Sequence, residues 1–191
     1  MTDKILVTYA SRAGSTAEIA EAIGKTLTPT AFGTSPIFRT LENGGGWEGV
    51  YVDVLPMTDV KDLSPYHAVV AGSAIRGSKW LPEAMQFIQT HRAELAKKPF
   101  AMFTVCITMA MKNAENYRAG VLGWVAPVRA LVTPLKEGLF AGRLDFTKLP
   151  VNLDTLMLRL TVALGVFPRG DHRDWNAVRT WAEELKSALG A

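Results

Sequence analysis

The run Ile5–Ile23, ILVTYASRAGSTAEIAEAI, admits few architectures. Ile5-Leu6-Val7-Thr8-Tyr9 is apolar and β-branched, the make-up of a strand covered on both faces. It passes through Ser11-Arg12-Ala13-Gly14-Ser15-Thr16 into a segment whose Ile19, Ala20, Ile23 and Leu27 recur at helical spacing. A strand that feeds a helix through small and hydroxylated residues leaves a concave ring of N–H groups at the positive end of the helix dipole. Such a ring binds a phosphate. Ser11, Ser15 and Thr16 add hydroxyls, and Gly14 allows close approach. The same turn also serves as an ordinary strand-to-helix connection, so the rest of the chain must decide.

Four further strands follow with helical segments between them. They are Val50–Leu55 closed by Pro56, Ala68–Ala71, Phe100–Val105 and Leu135–Phe140. This rhythm predicts an α/β fold, a doubly wound five-stranded parallel sheet of order 2-1-3-4-5 with helices on both faces. At 191 residues and 48% hydrophobic, the chain suits one domain over 1–191. Residues 28–49 break the rhythm with two prolines and five glycines, and are expected to form a flexible surface insertion. The alternative is a flap carrying Phe32, Phe38 or Trp47 toward a ligand. The triple glycine Gly44–Gly46 is not followed by Gly-Lys-Ser/Thr and is not a nucleotide P-loop.

In an open parallel sheet, ligands lie outside the carboxyl ends of the strands. Two more loops belong there. Ser73-Ala74-Ile75-Arg76-Gly77, followed by Ser78-Lys79-Trp80, leaves the third strand, and Thr104-Val105-Cys106-Ile107-Thr108 leaves the fourth. Their backbone can face a flat ring that Ile75 or Trp80 covers. Cys106, the sole cysteine, is read as a small buried hydrophobe, because no second thiol or adjacent base accompanies it. Lys112–Val132 is helical with a break at Pro127. In 149–165, Leu153, Leu156, Leu160 and Leu164 form one stripe if helical. That helix packs on the domain, or it lies in a membrane interface or lines a greasy substrate site. A closing helix from Trp175 is expected to be capped by Asp174.

The 21 Lys and Arg against 18 Asp and Glu are scattered and form no stripe, which argues against nucleic acid as a partner. A single cysteine and the lack of an apolar leader ahead of the first strand point to the cytoplasm. No stretch holds the roughly 20 uninterrupted apolar residues of a spanning helix. Mild basicity suits an anionic small substrate or an anionic membrane surface.

Tyr9-x-Ser11-x-x-Gly14-x-Thr16-x-x-x-Ala20-x-x-Ile23 resembles the FMN-phosphate signature of the flavodoxin family. Thr8 stands where that signature prefers an apolar residue, and Ala13 where many flavodoxins carry a phosphate-binding Thr. Arg12 can replace that donor or point to solvent. Ala71-Gly72-Ser73-Ala74-Ile75-Arg76, the long apolar segment and Gly170-Asp171-x-Arg173-Asp174-Trp175 resemble the flavodoxin-like branch that contains menaquinone-dependent protoporphyrinogen IX dehydrogenases. The resemblance implies FMN as cofactor, held by residues 11–16, 73–77 and 104–108. It implies an oxidoreductase that takes hydrides from a porphyrinogen and passes electrons to a quinone. The two propionates of such a substrate would be anchored by Arg76, Lys79, Lys112 or Arg118, with Trp80 beside them. The basic stretch that follows the third loop in that branch is reduced here to Lys112 and Arg118. No catalytic acid or base and no metal site is assigned. Two readings of other classes stand beside this one: an electron shuttle serving a redox partner protein, and a module of the fold that no longer binds flavin. Purely electron-carrying flavodoxins resemble one another in being strongly acidic, and this chain is not. Peripheral membrane contact through 149–165 and a homodimer are compatible with all three.

Overall fold

The computed structural model describes residues 4–28, 51–144, 146–148 and 153–189. Nearly all of the expected insertion, residues 29–49, lies outside them. The strands are β1 (Lys4–Ala10), β2 (Tyr51–Pro56), β3 (Ala68–Arg76), β4 (Lys79–Trp80), β5 (Phe100–Val105), β6 (Lys136–Phe140), β7 (Arg143–Leu144) and β8 (Gly170–Asp171). The α-helices are α1 (Ser15–Leu27), α2 (Pro82–Thr90), α3 (Arg92–Leu95), α4 (Ala114–Trp124), α5 (Ala126–Arg129), α6 (Leu153–Ala163) and α7 (Trp175–Leu189).

The main sheet has the order β2-β1-β3-β5-β6, all parallel, with β4 running antiparallel to the end of β3. Counting only the parallel strands, this is the order expected from the sequence. Alternation along the central strands divides the apolar side chains between two layers. Leu6, Val69, Ala71, Phe100 and Met102 pack with Leu81, Phe87, Ile88, Leu95 and Val128 on one face. Ile5, Val7, Val70, Ala101 and Phe103 pack with Ile19, Ile23, Val178, Trp181 and Leu185 of α1 and α7 on the other. Strands buried on both faces explain the nearly unbroken apolar runs. Thr8, the polar exception, is fully buried and donates its hydroxyl to the Leu55 carbonyl at 2.9 Å. The burial therefore costs no unsatisfied group. Pro56 ends β2, an edge strand where a missing N–H is tolerated.

Two local differences from the sequence reading bear on the site. The segment after Ala71 is strand as far as Arg76, because Gly72, Ser73 and Ala74 are in register with β5, and Gly72 and Ser73 with β1 as well. Pairing on both sides outweighs the weak strand preference of glycine. Beyond Arg76 the chain turns tightly, not in an open loop: Gly77 and Ser78 have φ of 55° and 60°, and Arg76 pairs with Lys79 across them. Two consecutive positive φ values are what a two-residue hairpin turn of matching twist requires. The expected break at Pro127 is present, with α4 stopping at Trp124 and α5 restarting with proline in its first turn. Helix α6 turns Leu156, Met157 and Leu160 outward, each more than half exposed. Among the described residues no helix is long and apolar enough to cross a membrane.

Candidate functional site

The carboxyl ends of β1, β3, β5 and β6 open onto a cavity of about 580 Å³. One end of it is the turn from β1 into α1. Gly14 adopts φ of 86°, a left-handed conformation open to glycine without a steric penalty. Its N–H donates to the Ser11 hydroxyl at 3.1 Å, and its carbonyl accepts the N–H of Glu18 at 3.0 Å, which starts the helix. The first-turn N–H groups at Ser15, Thr16 and Ala17 have no partner within the helix, and Ser15 and Thr16 line the cavity. This is the turn from which an anion cradle was expected, and Ala13 and Ser11 also line the cavity there.

The hydroxyl and guanidinium groups around it are already committed in part. Ser15 Oγ accepts the N–H of Arg143 at 3.0 Å, tying the exit of β6 to the start of α1. Gly142 fits beside this contact, since a Cβ there would lie 3.2 Å from a Val105 methyl and 3.6 Å from Ser15 Oγ. Arg12 neither reaches back over the cradle nor points freely to solvent. Both of its terminal nitrogens meet the Glu83 carboxylate of α2, at 2.8 and 2.9 Å. Glu18 is shared by Arg173 at 2.6 Å and Arg143 at 3.4 Å. Arg173, its side chain 3% exposed, also forks onto Asp171 at 2.7 and 2.5 Å and lies 4.5 Å from the centre of the Trp175 ring. The fork on Asp171 keeps Arg173 charged against the opposing effect of burial, and it holds Asp171 below the usual carboxylate range. This end of the cavity thus offers backbone dipoles, while Arg12, Arg143 and Arg173 beside it are engaged by carboxylates.

The side walls come from the second and third loops. Ala74, Ile75, Arg76 and Gly77 line the cavity from the β3–β4 hairpin, and Val105, Cys106, Ile107 and Thr108 from the end of β5. Ser73 and Thr104, also read as cofactor contacts, sit behind the wall. Ser73 Oγ accepts the Leu81 N–H at 3.1 Å and Thr104 Oγ1 accepts the Trp80 indole N–H at 3.0 Å, both within the buried interior. Trp80 is a correction: it is 3% exposed and packed in the core with Leu6 and Leu81, so it covers no ring. The hairpin folds it inward, and its single N–H finds a partner there. Lys79, Lys112 and Arg118 do not line the cavity, and Arg118 lies 3.7 Å from Glu115 one helical turn away. Cys106 lines the cavity while only 4% exposed.

Ser78 of the second loop and residues not expected at the site complete the lining: Leu81, Trp124, Gly142, Arg143, Leu144 and Phe167. Gly142-Arg143 could have been found by the rule used for the other strands, since it leaves the carboxyl end of β6. Trp124 and Phe167 carry no such signal, because α4 and the α6–β8 connection bring them in from a distance.

A family model for the flavodoxin domain matches residues 33–164. The chain belongs to the flavodoxin family. The match begins downstream of Ser11–Thr16, so the cradle of this flavodoxin stands on its own geometry. Among solved structures, a cysteine-to-serine mutant of flavodoxin from Pseudomonas aeruginosa is 11% identical, with a TM-score of 0.55 over 98% of this chain and 99% of that one. The flavodoxin of Streptococcus pneumonia TIGR4 is 17% identical, with a TM-score of 0.52 over 97% and 99%. Identities this low speak for the fold. No curated protein matches the chain.

FMN is the cofactor of the family. The residues present fit it: one end of the cavity offers free helix N–H groups, Ser11 and Thr16, and the walls offer Ile75, Leu81, Ile107, Trp124, Leu144 and Phe167 to a flat ring. The volume falls within the 300–1,000 Å³ usual for small-molecule sites.

Proposed function

We propose that this flavodoxin binds FMN in the cavity at the strand ends and exchanges electrons through it with a redox partner. The observation that supports this most directly is the joining of a left-handed Gly14 cradle to a broad, largely apolar cavity. Bound flavin would supply the redox chemistry itself. The chain's own residues would then do three things. The N–H groups at Ser15 to Ala17, with the Ser11 and Thr16 hydroxyls, hold the phosphate. Ala74–Gly77 and Val105–Thr108 present backbone groups to the ring edge, and the apolar side chains exclude water from its faces. A shuttle for a partner protein fits family membership best. Titrating apoprotein into FMN and following loss of flavin fluorescence tests the cofactor. Saturable one-to-one quenching is expected, and unchanged fluorescence would overturn the proposal.

A second reading is oxidation of a small anionic substrate, such as a protoporphyrinogen, with a quinone as electron acceptor. It is favoured by two smaller neighbouring cavities that share Arg143, Leu144, Phe146 and Arg169 as walls and bring Arg159 and Arg169 close to the site. Mixing oxidised FMN-loaded protein with protoporphyrinogen in a stopped-flow cell separates the two: bleaching that a menaquinone analogue reverses supports the enzyme, and none supports the shuttle. The outward Leu156, Met157 and Leu160 of α6 are where contact with a membrane surface would occur.

A further inference from the structure

The flavin cavity does not stand alone at its phosphate side. Arg143 and Leu144 line it and also line a neighbouring cavity of about 350 Å³, bounded further by Phe146, Thr147, Arg169, Gly170 and Asp171. Phe146 and Arg169 are shared in turn with a third, about 410 Å³, whose other walls are Arg159, Val162 and Ala163. The three spaces are neighbours that share these walls, along the β7–β8 ladder and the flank of α6.

The third cavity has an unusual charge arrangement. The Arg159 and Arg169 guanidinium groups lie 5.4 and 5.8 Å from the centre of the same Phe146 ring. Among the described residues neither has a carboxylate partner, and the third cavity has no acidic residue in its lining. Elsewhere around the flavin site the pattern is reversed, with Arg12, Arg143 and Arg173 all facing Glu or Asp. One phenyl face satisfies two like charges only partly, because a cation–π contact at an exposed site is worth far less than a charge-assisted hydrogen bond. Two guanidinium forks, steadied by the ring and without a carboxylate partner among the described residues, are suited to bind an oxyanion with paired N–H donors. The rest of the third cavity is apolar, Val162, Ala163 and the ring itself, and the second adds Leu144 beside Thr147 and Asp171, whose carboxylate is held by Arg173. A hydrated inorganic ion would leave that surface uncovered.

We propose that Arg159, Arg169 and Phe146 form an oxyanion subsite beside the flavin cavity, which seats the acidic end of a flat, apolar redox substrate. The inference rests on the flavin reading and places the substrate's anchor downstream of β6, not at Lys79, Lys112 or Arg118. The ligand class is an aromatic body bearing a carboxylate or sulfonate, and electrons pass between it and the bound FMN.

The test uses FMN-loaded protein, photoreduced without oxygen, and follows flavin reoxidation by 1,4-naphthoquinone-2-sulfonate or by neutral 1,4-naphthoquinone, each two-electron reduced to its hydroquinone. Each lost charge-assisted contact is worth about tenfold in affinity. R159Q/R169Q is therefore expected to raise the half-saturating concentration of the sulfonate at least tenfold while leaving the neutral quinone unchanged. R118Q, an equal loss of charge elsewhere, is expected to leave both unchanged at ~0.15 M salt, where charges beyond roughly 8 Å are screened. F146L, which keeps both charges and removes the ring that holds them, should give a smaller rise, and it stands in if the double variant fails to fold. Inorganic pyrophosphate is included as a competitor. Half-inhibition of the sulfonate reaction by pyrophosphate at or below the sulfonate's own half-saturating concentration would overturn the aromatic assignment. An unchanged sulfonate response in R159Q/R169Q, or an equal change for both quinones, would overturn the subsite. FMN affinity, measured separately by fluorescence quenching, reports failure of the flavin reading on its own.

Discussion

Gly72→Ala is the substitution on which the packing of the sheet is most exposed to test. Gly72 is buried in the middle of β3, in register with Phe103 of β5. A Cβ built on it would lie 1.9, 2.2 and 2.3 Å from three atoms of the Phe103 ring. Ordinary carbon contacts sit near 3.5–4.0 Å, so the ring or the strand must give by about 1.5 Å. The ring has nowhere to go, because Phe103 is fully buried, with Phe140 and Trp181 each at 6.3 Å between centroids. Overpacking of this kind costs about 1–3 kcal/mol, and a rigid aromatic neighbour places it at the upper end. For a chain of this size about 3 kcal/mol lowers Tm by roughly 6–12 °C. Urea unfolding followed by circular dichroism gives the free energy. The same measurement on Phe103→Leu and on the double variant closes a cycle. If the clash is the cause, a leucine that vacates the ring volume should recover at least about 1 kcal/mol of the Gly72→Ala loss. Additive losses, or a Gly72→Ala protein within about 0.5 kcal/mol of the parent, would refute the reasoning.

Other consequences follow from single residues. Gly14→Ala places a Cβ on a left-handed residue, which costs about 1–2 kcal/mol, and it should weaken FMN binding beyond the loss in stability, as fluorescence titration would register. Asp174 Oδ1 accepts the N–H groups of Asn176 at 2.9 Å and Ala177 at 3.0 Å, so Asp174→Ala should destabilise by about 1 kcal/mol in thermal melts by uncapping α7. Burial, reinforced by its 2.7 Å hydrogen bond to Asp53, pushes the Tyr66 hydroxyl up to about 12 from an ordinary 10. Its contribution to stability is therefore complete below about pH 10 and is lost as pH rises from 10 toward 12. Tyr66→Phe should flatten that part of the stability profile, measured by urea midpoints.

The sheet order and both helix faces were legible because burial on two sides leaves a strong signal. The apolar runs at Ile5, Ala68 and Phe100 and the 3.6-residue stripes of α1 and α7 each have one plausible packing. The Ser11–Thr16 cradle was legible for a related reason, since its chemistry lies in the backbone and needs only small residues in order. What escaped was set by contacts distant in sequence. Nothing in Gly77-Ser78 distinguishes a hairpin turn from an open loop, yet that turn decides whether Trp80 faces ligand or core. Arg12 had two equal prospects until α2 brought Glu83 to it, 71 residues away. Arg143, Trp124 and Phe167 reach the cavity through the exit of β6 and the ends of helices, where periodicity is silent.

The arginines divide in a way that their order along the chain does not show. Counted in sequence, the charged residues amount to a mild surplus of three positive charges with no visible pattern. Sorted by partner, five of the arginines around the cavity and its neighbours separate into two sets. Arg12, Arg143 and Arg173 are each held by a carboxylate, so in the proposed site phosphate binding would fall to the N–H dipoles. Arg159 and Arg169 share a ring and, among the described residues, have no carboxylate partner. A cofactor that is to stay bound gains from precise, short-range dipoles, whereas a substrate that must arrive and leave gains from a longer-range attraction at the third cavity. The proposed division of labour would place attraction for an anion next to the flavin cavity without placing a bare charge on the cofactor's own phosphate.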